Sequence, residues 1–436
     1  MMKVLKNCIW LMLCMVMLTG CSLIAGGDDL LQTPKPSEKF TMLQDQLEKI
    51  ISEGKNYATP QKGSYRNTVT FEDIDGDGED EAIAFFREGT GGKIYAYAFA
   101  LEDGEYQQIG RIEGPGSALG SMSFLEVEGG KQKLLVLTWT LSGDVKQGLT
   151  VCGVRDQKLQ ELLDTTCTDY SLSDMDQDNT QELLTLSYEN QERKTAQVYD
   201  YEDEKITLLS QADATQDVQS VANIVEGQLD ESGLRAVFVD NRFENDNGMQ
   251  TDIYVLDGTT LRNVALSANT STYRSTALSF CEDIDSDGSI EVPQLQVLPG
   301  YEDRDSAERL WMVDWYRYSI GKTTRLVHTT YDSPTEGWLL EFPDNWRGNV
   351  TATLVSSTGS NQTIFTEKEN LEDPILTIYV FTGSDRKEAA SVEGLIDLGE
   401  TSDICFAAKL GSNQSEYAMT AREVRRAFTV TTNEWK

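Results

Sequence analysis

Histidine is almost missing: His328 is the single imidazole in 436 residues. Any site built on a histidine base must use it, and a metal centre made of histidines is excluded by number. His328 lies in Thr324-Arg325-Leu326-Val327-His328, alternating with apolar neighbours as a strand residue does, so it is read as structural. No G-x-S-x-G elbow, Walker loop or dinucleotide fingerprint occurs. No C-x-x-C pair occurs either, which argues against structural zinc. Basic residues are scarce, 37 against 72 acidic, and the formal net charge is −35. Such a surface repels nucleic acid, so no nucleic-acid partner is expected, and it favours divalent cations. The hydrophobic share of 39% is that of a folded protein, so the charge is not a mark of disorder.

Long apolar runs are also lacking. Ile9 to Leu18 is one of about ten residues, half the roughly 20 that a membrane-spanning helix needs. It follows Lys3 and Lys6 and ends in Leu18-Thr19-Gly20-Cys21. Basic start, short apolar core and small residues before a cysteine resemble the signal peptide and lipobox of bacterial lipoproteins. The resemblance implies cleavage before Cys21, lipidation of its thiol, and a chain anchored by lipid to the outer face of the cell membrane. Residues 1–20 are then signal peptide, and 21–36, small and polar with Pro34-Lys35-Pro36, form a tether.

Four further cysteines remain: Cys152, Cys167, Cys281 and Cys405. Cys152 and Cys167 are near enough in sequence to link neighbouring strands, a bridge contributing about 3 kcal/mol. The alternative is four buried free thiols acting as small apolar residues.

An amphipathic helix is expected over 37–54. Phe40, Leu43, Leu47, Ile50 and Ile51 share one face, Ser37 can cap its start and Gly54 can end it. From 55 to 331 the pattern becomes short alternating strands such as Ala82-Ile83-Ala84-Phe85-Phe86, punctuated by Asp, Gly and Asn. After 331, strand-like stretches at Val350 to Leu354 and Ile375 to Phe381 mix with helix-like ones near Lys387 to Ile396 and Glu416 to Phe428.

Three acidic loops recur within the strand-rich region. They are Asp73-Ile74-Asp75-Gly76-Asp77-Gly78-Glu79-Asp80-Glu81, Asp174-Met175-Asp176-Gln177-Asp178-Asn179-Thr180-Gln181-Glu182 and Asp283-Ile284-Asp285-Ser286-Asp287-Gly288-Ser289-Ile290-Glu291. Two degenerate copies begin at Glu126 and Glu226, so successive starts are 53, 48, 52 and 57 residues apart. A period near 50 is that of a four-stranded propeller blade. The fold expected is therefore mainly β: a β-propeller-like repeat domain of about five blades over 55–331, then a small α/β (α+β) C-terminal domain over 332–436.

Three carboxylates at alternate positions converge when such a loop curls. Glu79, Thr180 or Ser289 can add a backbone carbonyl, and Glu81, Glu182 or Glu291 closes the set. Ca²⁺ takes six to eight hard oxygens, which this inventory supplies with water. Without a cation the crowded carboxylates repel. Position 12, where an EF-hand needs Glu, holds Ala84, Thr185 and Gln294, and β-like sequence flanks each loop. The loops instead resemble those of FG-GAP/VCBS repeats of integrin-type propellers, which implies structural Ca²⁺. The middle loop departs furthest, with Asn179 in place of glycine. The helix, the Tyr57-Ala58-Thr59-Pro60 turn and the first loop also resemble lipoproteins of Gram-positive anaerobes, over about the first half of the chain.

The expected function is a cell-surface binding or scaffolding protein with a protein or glycan partner, not an enzyme. Two alternatives are an envelope enzyme acting on polysaccharide through Asp/Glu pairs, and an accessory subunit of a transport or assembly complex. The aromatic cluster Trp311 to Tyr318 is read as burial between blades.

Overall fold

The computed structural model describes residues 37–141, 147–188, 193–244, 248–268, 271–275, 279–321, 324–412 and 415–431. Cys21 and its tether lie outside them, as do residues 1–20. Among the described residues no helix is long and apolar enough to cross a membrane.

Helix α1 spans Glu38–Ser52. The Ser37 hydroxyl accepts the Phe40 N–H at 3.2 Å, and Gly54, at φ +88°, turns the chain away from its end. Leu43, Leu47 and Ile50 are buried, about 1.5–3 kcal/mol each by area. Ile51, at the edge of the expected apolar face, is 42% exposed.

The rest of the fold is mainly β, in antiparallel sheets. The first sheet holds β1 (Lys55–Tyr57), β2 (Val69–Glu72), β3 (Glu81–Glu88), β4 (Ile94–Glu102) and β5 (Glu105–Glu113). The second holds β6 (Ala118–Val127), β7 (Gln132–Thr140), β8 (Gln147–Arg155) and β9 (Lys158–Cys167). The third holds β10 (Asp169–Ser173), β11 (Glu182–Ser187), β12 (Thr195–Glu202) and β13 (Lys205–Asp213). The fourth holds β14 (Val218–Gln228), β15 (Arg235–Phe243), β16 (Met249–Asp257) and β17 (Thr260–Asn263). The fifth holds β18 (Val292–Val297), β19 (Trp311–Arg317), β20 (Arg325–Ser333) and β21 (Trp338–Glu341), with β27 (Phe428–Val430) added at the edge. Strands adjacent in sequence pair in each, the pattern short turns enforce.

Strand alternation gives each sheet two apolar faces, and neighbouring sheets share them. Ile83, Phe85 and Ala96 of the first sheet meet Leu135, Leu137 and Trp139 of the second. Val136, Val151 and Cys167 meet Leu183 and Tyr199 of the third. Leu184 and Val198 meet Val237 and Tyr254 of the fourth. Phe238 and Val255 meet Val292 and Tyr318 of the fifth.

The two ends of this series are covered differently from a closed ring. Ala82, Ala84 and Phe86, on the other face of the first sheet, pack on α1. Met312, Tyr331 and Trp338, on the other face of the fifth, pack on Phe365, Leu376 and Ile378 of a sixth sheet. The faces that would join first to fifth in a closed five-sheet ring are therefore occupied by other elements.

The sixth sheet runs β22 (Val350–Ser357), β23 (Ser360–Glu367), β24 (Asn370–Phe381), β26 (Cys405–Leu410), β25 (Ile396–Glu400), all antiparallel. It is not an alternating strand–helix unit. The expected helix at Lys387 to Ile396 shrinks to α3 (Arg386–Ala390), because Gly394 takes φ +91° and Ile396 opens a strand. The other helix, α4 (Ala421–Ala427), starts five residues later than expected, at a capping box of Thr420 and Glu423. A short α2 (Val264–Ser267) follows β17. The expected boundary after Tyr331 falls inside β20, whose Asp332 and Ser333 still pair with β21.

Cys152, Cys167, Cys281 and Cys405 are buried, and no disulfide joins them. Cys152 and Cys167 do lie on paired strands, but Cys152 is opposite Glu161 and Cys167 opposite Gln147. They also serve different interfaces, Cys152 against the first sheet and Cys167 against the third. The bridge allowed by their spacing is absent for that reason.

Candidate metal centres at the sheet junctions

Each acidic loop joins the first strand of its unit to the second. The first connects β2 to β3 and the second β10 to β11. In the fifth sheet the leading strand has shrunk to a bridge between Glu282 and Glu291, and the third loop lies between the two. The degenerate copies, after β6 and β14, take the corresponding place in the second and fourth sheets.

The loops curl through their own side chains. Asp73 accepts the N–H groups of Gly76 at 2.8 Å and Gly78 at 3.1 Å. Asp75 accepts from Asp77 at 3.2 Å, and Asp77 from Glu79 at 2.8 Å. Glu81 reaches back to the Ile74 N–H at 2.9 Å. The second loop repeats this: Asp174 accepts from Asn179 (3.2 Å), Asp178 from Thr180 (2.7 Å) and Glu182 from Met175 (2.7 Å). So does the third: Asp283 accepts from Gly288 (2.8 Å), Asp287 from Ser289 (2.8 Å) and Glu291 from Ile284 (3.2 Å). Asn179 adopts φ +72°, the conformation Gly78 and Gly288 hold at +92°, so the middle loop closes without glycine.

Positions 1, 3 and 9 converge. One carboxylate oxygen from each of Asp73, Asp75 and Glu81 lies within 4.8 Å of the others, and the same holds for Asp174, Asp176 and Glu182 and for Asp283, Asp285 and Glu291. These acidic triads, each closed by a buried glutamate, are able to hold a metal ion. Asp77, Asp178 and Asp287 stand outside the triads and brace the turn, and the N–H groups of Glu79, Thr180 and Ser289 point at them.

The closing glutamates are the costly members. Glu81 is 2% exposed and Glu182 1%. Desolvation lifts Glu81 to about 7 and Glu182 to about 8, against the opposing N–H bonds of Ile74 and Met175. Burial and the neighbouring Asp77 and Asp178 charges also raise Asp75 and Asp176. Among the described residues no lysine, arginine or histidine forms an ion pair with a ligand position of the first two loops. Asp174 Oδ1 is buried with no hydrogen-bond partner. Buried anions and an orphaned oxygen of this kind fit a hard cation.

The third loop differs. Arg317 and His328, both overlooked as partners in the sequence, reach its carboxylates. Arg317 donates to Glu291, its Nε at 2.8 Å, and its Nη1 lies 3.0 Å from Asp287. His328 joins Asp285 (3.0 Å) to Glu341 (2.7 Å). The Glu341 bond, opposed by burial and aided by Asp285, raises the imidazole to about 9.

The loops also stitch sheets together. Ile74 O accepts the Lys133 N–H of the second sheet at 2.9 Å. Gln181 N donates to Glu126 O at 2.8 Å, and the Gln177 amide reaches Gly233 O of the fourth sheet at 2.8 Å. Gln228 and the third loop exchange two backbone bonds, at 2.9 and 3.0 Å.

A cavity of about 450 Å³ lies along the leading strands β6, β10 and β14 and the Lys62–Tyr65 segment. Tyr65, Tyr170, Asp169 and Glu226 line it. The Tyr170 hydroxyl bonds Ser123 at 2.8 Å, and the Ser171 hydroxyl donates to Glu226 at 2.6 Å. Burial raises the Asp169 carboxyl above its ordinary value, against the Tyr170 N–H. The aromatic cluster read as burial is not part of this wall: Trp315 and Tyr318 are fully buried, and Trp315 Nε1 donates to Thr330 at 2.9 Å.

No protein-family model and no curated protein matches the chain. Solved structures similar to it include the exotype rhamnogalacturonan lyase YesX, at 11% identity and TM-score 0.27, covering 72% of this chain and 62% of that one. Rhamnogalacturonan lyase YesW is similar at 13% and 0.26, covering 72% and 61%. A fructofuranosidase from Schwanniomyces occidentalis is similar at 10% and 0.26, covering 81% and 87%. The matched region spans about three-fifths of each lyase. These neighbours are enzymes, and the expectation that this chain is not one is withdrawn. At such scores the likeness assigns no activity, substrate or residue here.

Proposed function

We propose that the chain is an exported, lipid-anchored binding or scaffolding protein whose propeller-like series of about five sheets is stabilised by calcium. One observation supports this above others: three triads of like composition recur at the same turn of alternate units, each at a junction between sheets. A cation there neutralises buried carboxylates and fixes one sheet to the next. Extracellular modules of this kind bind calcium at roughly 10⁻⁴–10⁻³ M. The test is calorimetric titration of the chelator-stripped chain with calcium; silence at millimolar calcium removes the reading. Lipidation at Cys21 has its own test, since a Cys21→Ser chain should leave the membrane fraction and its retention there would refute the anchor. The partner, protein or glycan, would be taken at the cavity beside Tyr65 and Tyr170, whose rings suit sugar stacking.

The same cavity favours a second reading, an envelope enzyme acting on polysaccharide. Asp169, raised by burial, and Glu226 line one wall, the two-carboxylate inventory of glycoside hydrolysis. Asp169→Asn and Glu226→Gln should each abolish release of reducing ends from cell-wall polysaccharide. Equal release by parent and variants would exclude it.

A further inference from the structure

The three loops have one composition but unequal surroundings, and the ladder registers show why. Ala82 pairs with Phe99, Leu183 with Tyr199 and Val292 with Tyr316. One step further along each ladder, the residue opposite the closing glutamate is Ala100 in the first sheet, Asp200 in the third and Arg317 in the fifth. The same structural position therefore carries a neutral side chain, an added anion and a cation.

We infer that Arg317 is the built-in cation of the third loop, so that this chain takes calcium at the first and second loops and not at the third. The inference rests on the calcium reading above and refines it. Arg317 is 3% exposed, and its guanidinium lies against the third loop's carboxylates: Nε is 2.8 Å from Glu291, Nη1 3.0 Å from Asp287 and Nη2 3.7 Å from Asp285. Glu231, from the turn after β14, holds Nη1 from the other side at 3.2 Å. His328 Nε2 lies 3.0 Å from the same Asp285 oxygen, Oδ2. A calcium ion bound at 2.3–2.6 Å from these oxygens would sit against the guanidinium, and positive charges at that range repel. Arginine keeps its charge throughout the pH range of a folded protein, so the substitution is permanent. The second loop is the opposite case: Asp200 adds to the field on Asp176 and Glu182 and makes it the strongest of the three for a divalent ion.

The test counts calcium on the full chain by equilibrium dialysis with radioactive calcium. Two ions per chain are expected. Asp75→Asn and Asp176→Asn, at the third position of the first two loops, should each remove one. Asp285→Asn, at the third position of the third loop, should remove none. Arg317→Gln should add one. Three ions on the parent, or the loss of one in Asp285→Asn, overturns the inference while leaving the calcium reading in place. No binding by the parent overturns both. Should Arg317→Gln fail to fold, Asp285→Asn alone still decides the matter.

Discussion

The second and fourth sheets make the same turn as the first and third without a carboxylate triad, and the contrast separates two jobs. The turns without a triad are short and carry backbone bonds, Gly130 N to Val127 O at 3.0 Å and Leu229 N to Leu234 O at 2.7 Å. Val127 and Leu229 are fully buried there, as Ile74 and Met175 are in the acidic loops. Apolar plugging of the junction is thus common to both kinds. The carboxylates of the acidic loops add nothing that hydrophobic burial requires, and they bring buried glutamates that burial disfavours. A chain with no cation to bind gains by the short form, so the long form accords with the proposed ion.

Withdrawing calcium is the largest way to break that contrast. Ten millimolar calcium is a tenfold to hundredfold excess over the affinity expected, stabilising by about 1.4–2.7 kcal/mol at each site. With two sites, chelation should lower the melting temperature by roughly 3–7 °C. Replacing Asp75 and Asp77 by Asn should cut that calcium-dependent increment by about half and change melting in chelator little.

Acidity is the next lever. In metal-free protein Glu81 and Glu182 titrate at about 7 and about 8, above the ordinary 4.5. Between 4.5 and 8 the folded chain then binds more protons than the unfolded one, so stability from these two groups is present at pH 4.5 and is lost as pH rises to about 8. Melting in chelator across pH 5–8 should show this slope, reduced in Glu182→Gln. Calcium takes the ionised forms, so its stabilising increment should grow across the same window.

Much of this was legible because it is local. Nine residues suffice to write an acidic loop, Ser37 and Gly54 write the ends of α1, and alternation in Ala82 to Phe86 writes a strand with two apolar faces. What pairs across space was not legible. Arg317 lies 26 residues beyond Glu291, and only the β18–β19 register sets them together. The antiparallel order of the sixth sheet is likewise a matter of pairing, which strand and helix signals near Lys387 and Glu416 do not encode. Nor did the sequence say that α1 and the sixth sheet, and not a ring closure, would cover the two end faces.

Glycine substitutions sharpen the contrast within one loop. Gly76 and Gly78 both have positive φ, +80° and +92°. A Cβ on Gly78 meets nothing within 4 Å, so Gly78→Ala should cost only the left-handed backbone, about 1–2 kcal/mol. A Cβ on Gly76 would stand 2.2 Å from Lys131 O, in the turn of the second sheet. Gly76→Ala should therefore cost more, by forcing the two turns apart, and urea midpoints of the pair measure the difference. Equal midpoints would mean that the first loop does not lean on its neighbour.

The smallest effect belongs to the turns that lack a triad. Glu126 and Glu128 are exposed acids in the degenerate copy after β6, with no triad around them. If position in the fold alone conferred metal affinity, neutralising them would weaken calcium binding as Asp75→Asn does. If convergence of three carboxylates confers it, Glu126→Gln and Glu128→Gln should leave calcium stoichiometry unchanged and shift stability by no more than about 0.5 kcal/mol. Calorimetric titration of the double variant separates these cases, because a turn at an equivalent junction that lacks the converging oxygens has no ion to lose.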